Sequence, residues 1–279
     1  MPNKCQPDTP AKGYNSAKAV RETLMHIRIL GASACIGQPG QTTCFQIGGD
    51  TLIDCGTGCA SLAEEELLAV RRVLLSHGHI DHCGLLPLLA DAHACRQGPG
   101  IEVYGLAETL DALRQNLFNG KLWPDYTQTP SSDRPWVKLV PVEVGDAVPL
   151  VEGMATALPA QHSVPALGWL VEGPWRAMAF SGDSGPCPAF WHWVCGVPSL
   201  TDVICEVTYS DEHLQEAMRQ GYMTPSLLAP LLADLPPNAH LWLSHGDPGC
   251  RDALIEQMLR QAPPGLHVAR LKEGALIEL

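Results

Sequence analysis

Apolar residues fall along this chain in short runs of strand length, broken by turn residues and by stretches with helical spacing. "MHIRILG", "TTCFQIGG" and "TLIDCG" read as three successive strands, the last ending in a glycine turn. "SLAEEELLAV" has helical spacing, and "RRVLLS" is a short apolar run that suits a strand. "GLLPLLADAHAC" then predicts a helix, "IEVYGL" a strand and "AETLDALRQNL" another helix. From Trp136 to Ser181 the pattern is strand-like, through "WVKLVPVEV", "MATALPAQ", "ALGWLVEG" and "RAMAFSGD". The remainder alternates again: helix "PAFWHWV", strand "DVICEVTY", a helix around "PSLLAPLLADL", strand "HLWLS" and helix "CRDALIEQMLRQ". Two halves that each pair strands with helices predict a layered α/β domain over residues 23–279. Residues 1–22, polar and turn-rich, read as a loose arm ahead of it.

Composition narrows the partners. The 279 residues are 46% hydrophobic and 17% charged, which suits a compact fold. Thirty acidic residues against 18 basic ones leave a formal charge of −12, which weighs against a long nucleic acid. A small anionic substrate remains compatible, because a bound cation dominates the field of its own site. No run of apolar residues is long enough to span a membrane. The N-terminal residues carry no apolar signal core, so a cytoplasmic location is expected. Eleven cysteines, with no CxxC pair, read as small buried hydrophobes in a reducing compartment.

One segment changes the picture. "HGHIDH", residues 77–82, sets His77, His79, Asp81 and His82 directly after the apolar run "RRVLLS". Residues i and i+2 leave a strand on the same side, so His77 and His79 point together. The carboxyl end of a strand is also where α/β proteins place their sites. Three more residues sit in the same setting: His162 after "MATALPAQ", Asp183 after "RAMAFSG" and His245 after "HLWLS". A carboxylate such as Asp183 could bridge two cations, with His162 completing one ligand set and His245 the other. His and Asp donors favour zinc, with manganese or iron as alternatives. His93, His192, His213, His240 and His267 fit no such pattern and read as ordinary histidines.

The HxHxDH pattern with its later His, Asp and His resembles the metallo-β-lactamase superfamily, from Met25 onward. The resemblance implies a four-layer αββα sandwich, a hydrolase, and two divalent metal ions. It also implies that Asp54 in "LIDCG" buttresses the metal loop. "LFNGKLWPDYT", "AFSGDSGP", "DVICEVTYSDE" and "GYMTPSLLAPLL", in that order, resemble the class II cyclic-nucleotide phosphodiesterases. That branch implies a metal-bridged hydroxide that opens a 3′,5′-cyclic nucleotide to a 5′-nucleotide, with Asp81 orienting it. Glu206 and Tyr222 are the expected contacts to phosphate or leaving group, and Trp123 either stacks on a base or packs in the core. Tyr222 stands where the branch has a histidine, and Asp247 where it tends to have a lysine. The alternatives are a lactonase, a thioesterase, a transfer-RNA-processing phosphodiesterase, or a metal-loaded binding protein without turnover. Dimers are common in the superfamily, which makes a homodimer an expectation.

Overall fold

The computed structural model describes residues 25–37, 40–247 and 249–279; the expected arm over residues 1–22 lies outside them. Chain order begins with β1 (His26–Gly31), β2 (Cys44–Ile47), β3 (Thr51–Ile53), α1 (Glu64–Ala69), β4 (Arg72–Leu74), α2 (Ile80–Cys83) and α3 (Leu86–Cys95). It continues with β5 (Ile101–Gly105), α4 (Ala107–Asn116), a small hairpin β6 (Pro130–Ser131) and β7 (Arg134–Pro135), β8 (Val137–Pro141), β9 (Ala147–Pro149) and β10 (Met154–Pro159). Then come β11 (Leu167–Glu172), β12 (Ala177–Phe180), α5 (Pro188–Cys195), β13 (Leu200–Glu206), α6 (Leu214–Gln220) and α7 (Pro225–Leu228). The chain closes with β14 (His240–Ser244), α8 (Arg251–Gln261), β15 (His267–Arg270) and β16 (Leu276–Glu278).

The strands form two seven-stranded sheets, ordered β16-β1-β2-β3-β4-β5-β8 and β15-β14-β13-β12-β11-β10-β9. Each sheet is antiparallel at one end and parallel at the other, the parallel parts being β3-β4-β5-β8 and β12-β13-β14-β15.

Side chains alternate between two apolar layers along each strand, which is why the strands read as near-continuous apolar runs. In β12, Met178 and Phe180 face the other sheet, while Ala177 and Ala179 face outward. In β11, Trp169 and Val171 turn inward and Leu170 outward. The layer between the sheets also holds Ile27, Ile29, Phe45, Ile53 and Ile204. Outside the first sheet, Leu86, Leu89, Leu110 and Leu113 of α3 and α4 cover Leu52, Val73 and Val103. Outside the second, Phe190, Val194, Leu228, Leu254 and Met258 of α5, α7 and α8 cover Val203 and Leu241. Three apolar layers between four layers of structure make the αββα sandwich. No helix among the described residues is long and apolar enough to cross a membrane.

Specific contacts lock the sheets face to face. The Phe45 and Phe180 rings meet edge to face at 5.0 Å, and the Trp169 Nε1–H donates to the Leu75 carbonyl at 3.2 Å. The described cysteines are free, and Cys44, Cys55, Cys59, Cys83, Cys187 and Cys205 are buried, as small hydrophobes would be. Two edge strands lie beyond the elements read from the pattern: β15 pairs parallel to β14, and β16 pairs antiparallel to β1.

Phe45→Ala should cost about 3–5 kcal/mol, because it opens a cavity at the edge-to-face contact between the sheets. A drop in the denaturant midpoint at unchanged slope is the measurement that checks it.

Candidate metal centre

The loops that leave the carboxyl ends of β3, β4, β10, β12, β13 and β14 converge on one edge of the sandwich. β4 delivers Ser76, His77 and His79; the short helix α2 then turns the chain so that Asp81 and His82 face the same point. His162 follows β10, Asp183 follows β12 and His245 follows β14. One ligand atom from each of His77, His79, His162 and Asp183 lies within 4.8 Å of the others, and the same holds for Asp81, His82, Asp183 and His245. All seven sequence-predicted ligands are therefore brought together, in two pockets that share Asp183.

The contacts around Asp183 define the geometry. Its Oδ2 lies 3.8 Å from His77 Nε2 and 3.4 Å from His245 Nε2, and its Oδ1 lies 3.4 Å from His82 Nε2. His79 Nδ1 stands 3.0 Å from His77 Nε2 and 3.3 Å from His162 Nε2. Asp81 Oδ2 is 3.2 Å from His245 Nε2 and 3.6 Å from His82 Nε2.

Each of four imidazoles is oriented by its far nitrogen. His82 Nδ1 donates to Asp54 Oδ2 at 2.7 Å, and His162 Nδ1 donates to the Gly221 carbonyl at 2.9 Å. The Ser76 hydroxyl donates to Asp54 Oδ2 at 2.7 Å, so its oxygen accepts from His77 Nδ1 at 3.0 Å. On the other sheet, the Thr208 hydroxyl donates to Glu206 Oε2 at 2.8 Å and accepts from His245 Nδ1 at 2.9 Å. An acceptor at each Nδ1 leaves Nε2 as the atom that faces the site, the orientation that metal ligation through Nε2 requires.

Three of those Nε2 atoms face a carboxylate that has no hydrogen bond. Asp183 is buried, and neither of its oxygens has a hydrogen-bond partner. Burial would raise its pKa, but His245, His82 and His77 hold it well below the usual carboxylate range. Burial and the neighbouring His82 keep His77 well below the ordinary imidazole value, and burial and His162 lower His79. Burial works in the same direction on His82, but the Asp183 and Asp54 carboxylates outweigh it and drive its pKa well up. A buried, ionised, unbonded carboxylate ringed by imidazole nitrogens is an arrangement that a divalent cation satisfies. The donor set fits two such ions.

Asp54 holds the first half of the centre from behind, accepting the Ser76 amide at 2.7 Å besides the Ser76 hydroxyl and His82. It takes a positive φ of 56°, unusual for a residue other than glycine, and His245 does the same. Gly56 follows because the turn runs against α2: a Cβ there would meet the Asp81 carbonyl at 2.1 Å.

Glu206 is placed differently from its expected role. It is wholly buried, and its oxygens take the Met223 amide at 2.6 Å, the Thr208 amide at 2.9 Å and the Thr208 hydroxyl. These bonds leave it behind His245, with Thr208 between them, rather than on the substrate side. Burial and Asp183 push its carboxyl well up, against three hydrogen bonds that favour the charged form. Tyr222 does reach the centre: its ring lies 4.9 Å from that of His162 and stacks at 6.0 Å on that of His245. Burial first, then the Asp183, Glu206 and Asp81 carboxylates, raise its pKa, so the phenol keeps its proton. Trp123 packs into the layer outside the first sheet with Leu117 and Tyr126, because its loop folds back over that face. Asp247 is turned toward Cys35, whose thiol lies 3.8 Å from its Oδ2.

Ser76 and Thr208 escaped the reading of the sequence. Their signals are faint but real: a hydroxyl directly before the first ligand, and one two residues beyond Glu206 on the same side of the extended chain.

The beta-lactamase superfamily domain matches residues 51–245, and the chain belongs to that family. No curated protein sequence matches the chain. Solved structures are similar over almost the whole length. The metallo-beta-lactamase fold protein YhfI from Bacillus subtilis is 18% identical, with a TM-score of 0.73 over 91% of this chain and 99% of its own. Unliganded yeast PDE1 is 15% identical, with a TM-score of 0.76 over 92% and 99%. The short form of human tRNase Z is 19% identical, with a TM-score of 0.63 over 91% and 98%.

Asp183→Asn should strip metal from both pockets at once, read as metal content per chain after dialysis, whereas Asp247→Asn should leave that content unchanged. Asp54→Ala, which removes the acceptor behind His82 and Ser76, should weaken metal affinity by roughly 10- to 100-fold.

Proposed function

We propose that the chain is a binuclear metal-dependent phosphodiesterase whose substrates are small and anionic, with 3′,5′-cyclic nucleotides first among them. The observation that carries this reading is the single carboxylate, Asp183, shared by two complete ligand sets. Two adjoining pockets suit displacement at phosphorus, where attacking and leaving oxygens lie on opposite sides of one atom. Zinc fits four-ligand sets of imidazole nitrogen and carboxylate oxygen, and manganese and iron fit the same donors. When bound, such ions supply Lewis-acid polarisation of the phosphoryl group and a hydroxide at neutral pH.

The chain's own residues perform the rest. His77, His79, His162 and Asp183 line one pocket; Asp81, His82, His245 and Asp183 line the other. Asp81 is the most exposed of the carboxylates here, with 23% of its side chain accessible, and it is placed to orient the attacking water. Tyr222, kept protonated, donates a hydrogen bond to a phosphoryl or leaving oxygen; a phenol held this way is a poor proton donor at neutral pH. Three of the four stretches that resemble cyclic-nucleotide phosphodiesterases border the centre, through Asp183, through Glu206 and Thr208, and through Tyr222. The net charge of −12 favours a small substrate over transfer RNA. Identities below one fifth to yeast PDE1 and human tRNase Z carry the fold, not the substrate.

A substrate panel on protein of measured metal content tests the reading: cyclic AMP, a lactone, a thioester and precursor transfer RNA. Cyclic AMP should be opened to the 5′-nucleotide. Rapid opening of the lactone or thioester with no cyclic-nucleotide turnover would replace the phosphodiesterase by another hydrolase of the same fold. Tyr222→Phe should lower kcat by roughly 3- to 10-fold, the worth of one hydrogen bond, with metal content unaltered.

A further inference from the structure

Both pockets are tied from behind to one short segment, Gly221–Tyr222–Met223, between α6 and α7. From the first pocket, His162 donates its Nδ1–H to the Gly221 carbonyl at 2.9 Å. From the second, His245 donates to Thr208 Oγ1 at 2.9 Å and Thr208 donates to Glu206 Oε2 at 2.8 Å. The other oxygen of Glu206 accepts the Met223 amide at 2.6 Å, which closes the chain of contacts. The residue between the two anchors is Tyr222.

The segment has little slack. Gly221 caps α6 with φ +73°, and a Cβ there would meet His162 Cα at 3.0 Å. Glu206 and Thr224, which caps α7, are wholly buried, and Thr224 accepts the Leu227 amide. The Tyr222 amide donates to the Ala217 carbonyl at 2.9 Å, so the turn out of α6 is itself bonded.

We infer that Gly221–Met223 is a strap whose position is set jointly by the two metal pockets, with Glu206 and Thr208 as positioning residues. Ions held at His162 Nε2 in the first pocket and at His245 Nε2 in the second would fix the two ring planes and keep the proton of each on Nδ1. Each Nδ1–H must then point at its acceptor, Gly221 on one side and Thr208 on the other. Filling the pockets therefore draws in the two ends of the strap and sets Tyr222 over the substrate position. The coupling is reciprocal: loosening the strap must weaken the ions by the same factor by which the ions order the strap. The inference rests on the metal-centre reading and is independent of which ester is cleaved.

The test uses the full chain, zinc and no substrate. Hydrogen exchange at the Met223 amide, compared between chelated and zinc-loaded protein, should slow tenfold or more on loading. Thr208→Val removes the acceptor of His245 and should weaken zinc binding at the second pocket by roughly 10- to 100-fold, leaving the first ion bound. Thr208→Ser, which keeps the hydroxyl, should restore both the affinity and the zinc-dependent protection. Met223 exchange indifferent to zinc in the unsubstituted protein overturns the inference even if the valine variant misfolds. So does a folded valine variant that holds two zinc ions as tightly as the unsubstituted chain. A wrong choice of substrate would show only in turnover and leave these readouts unchanged.

Discussion

The centre depends on one buried charge. Asp183 follows β12 with both oxygens unbonded, facing the Nε2 atoms of three of the surrounding histidines. A carboxylate taken out of water without a partner costs several kcal/mol, and here the facing histidines are what hold it ionised against its burial. The fold presents that charge at one point, where a divalent cation would satisfy it.

Around this charge the two sheets contribute matching supports. From the first sheet, Asp54 reaches His77 through the Ser76 hydroxyl; from the second, Glu206 reaches His245 through the Thr208 hydroxyl. In each case a carboxyl oxygen accepts the hydroxyl proton, which leaves the hydroxyl oxygen to accept from the imidazole. The direction of two hydrogen bonds therefore decides the tautomer of a metal ligand. Wholly buried Asp54 and Glu206 keep water from competing for those bonds. The other oxygen of Glu206 accepts the Met223 amide, which links the ligand to the segment carrying Tyr222.

The inter-sheet core makes this alignment possible. Ligands come from both sheets, so a small slip between them would separate His77 and His82 from His162, Asp183 and His245. The edge-to-face contact of Phe45 and Phe180 and the bond from Trp169 to the Leu75 carbonyl resist that slip. Leu167 donates its amide to the Ser76 carbonyl at 2.8 Å, pinning the second sheet to the residue beside the first ligand. Apolar packing and ligand geometry are thus one constraint, applied at two distances from the site.

The residues alone disclosed the ligand motif, because six adjacent positions carry it, and the strand ends that precede His162, Asp183 and His245, because long apolar runs announce them. They also disclosed the layering, since strands buried on both faces leave continuous apolar stretches. Short edge strands such as β15 and β16 stayed hidden: three or four residues hold too little periodicity to register, and β16 pairs with β1 at the far end of the chain. Where Glu206, Tyr222 and Trp123 lie relative to the centre was decided only by tertiary structure. A carboxylate, a phenol and an indole can each serve a substrate or a scaffold. What settles the matter is which neighbours have already claimed their donors and acceptors, and the chain must fold before it has neighbours.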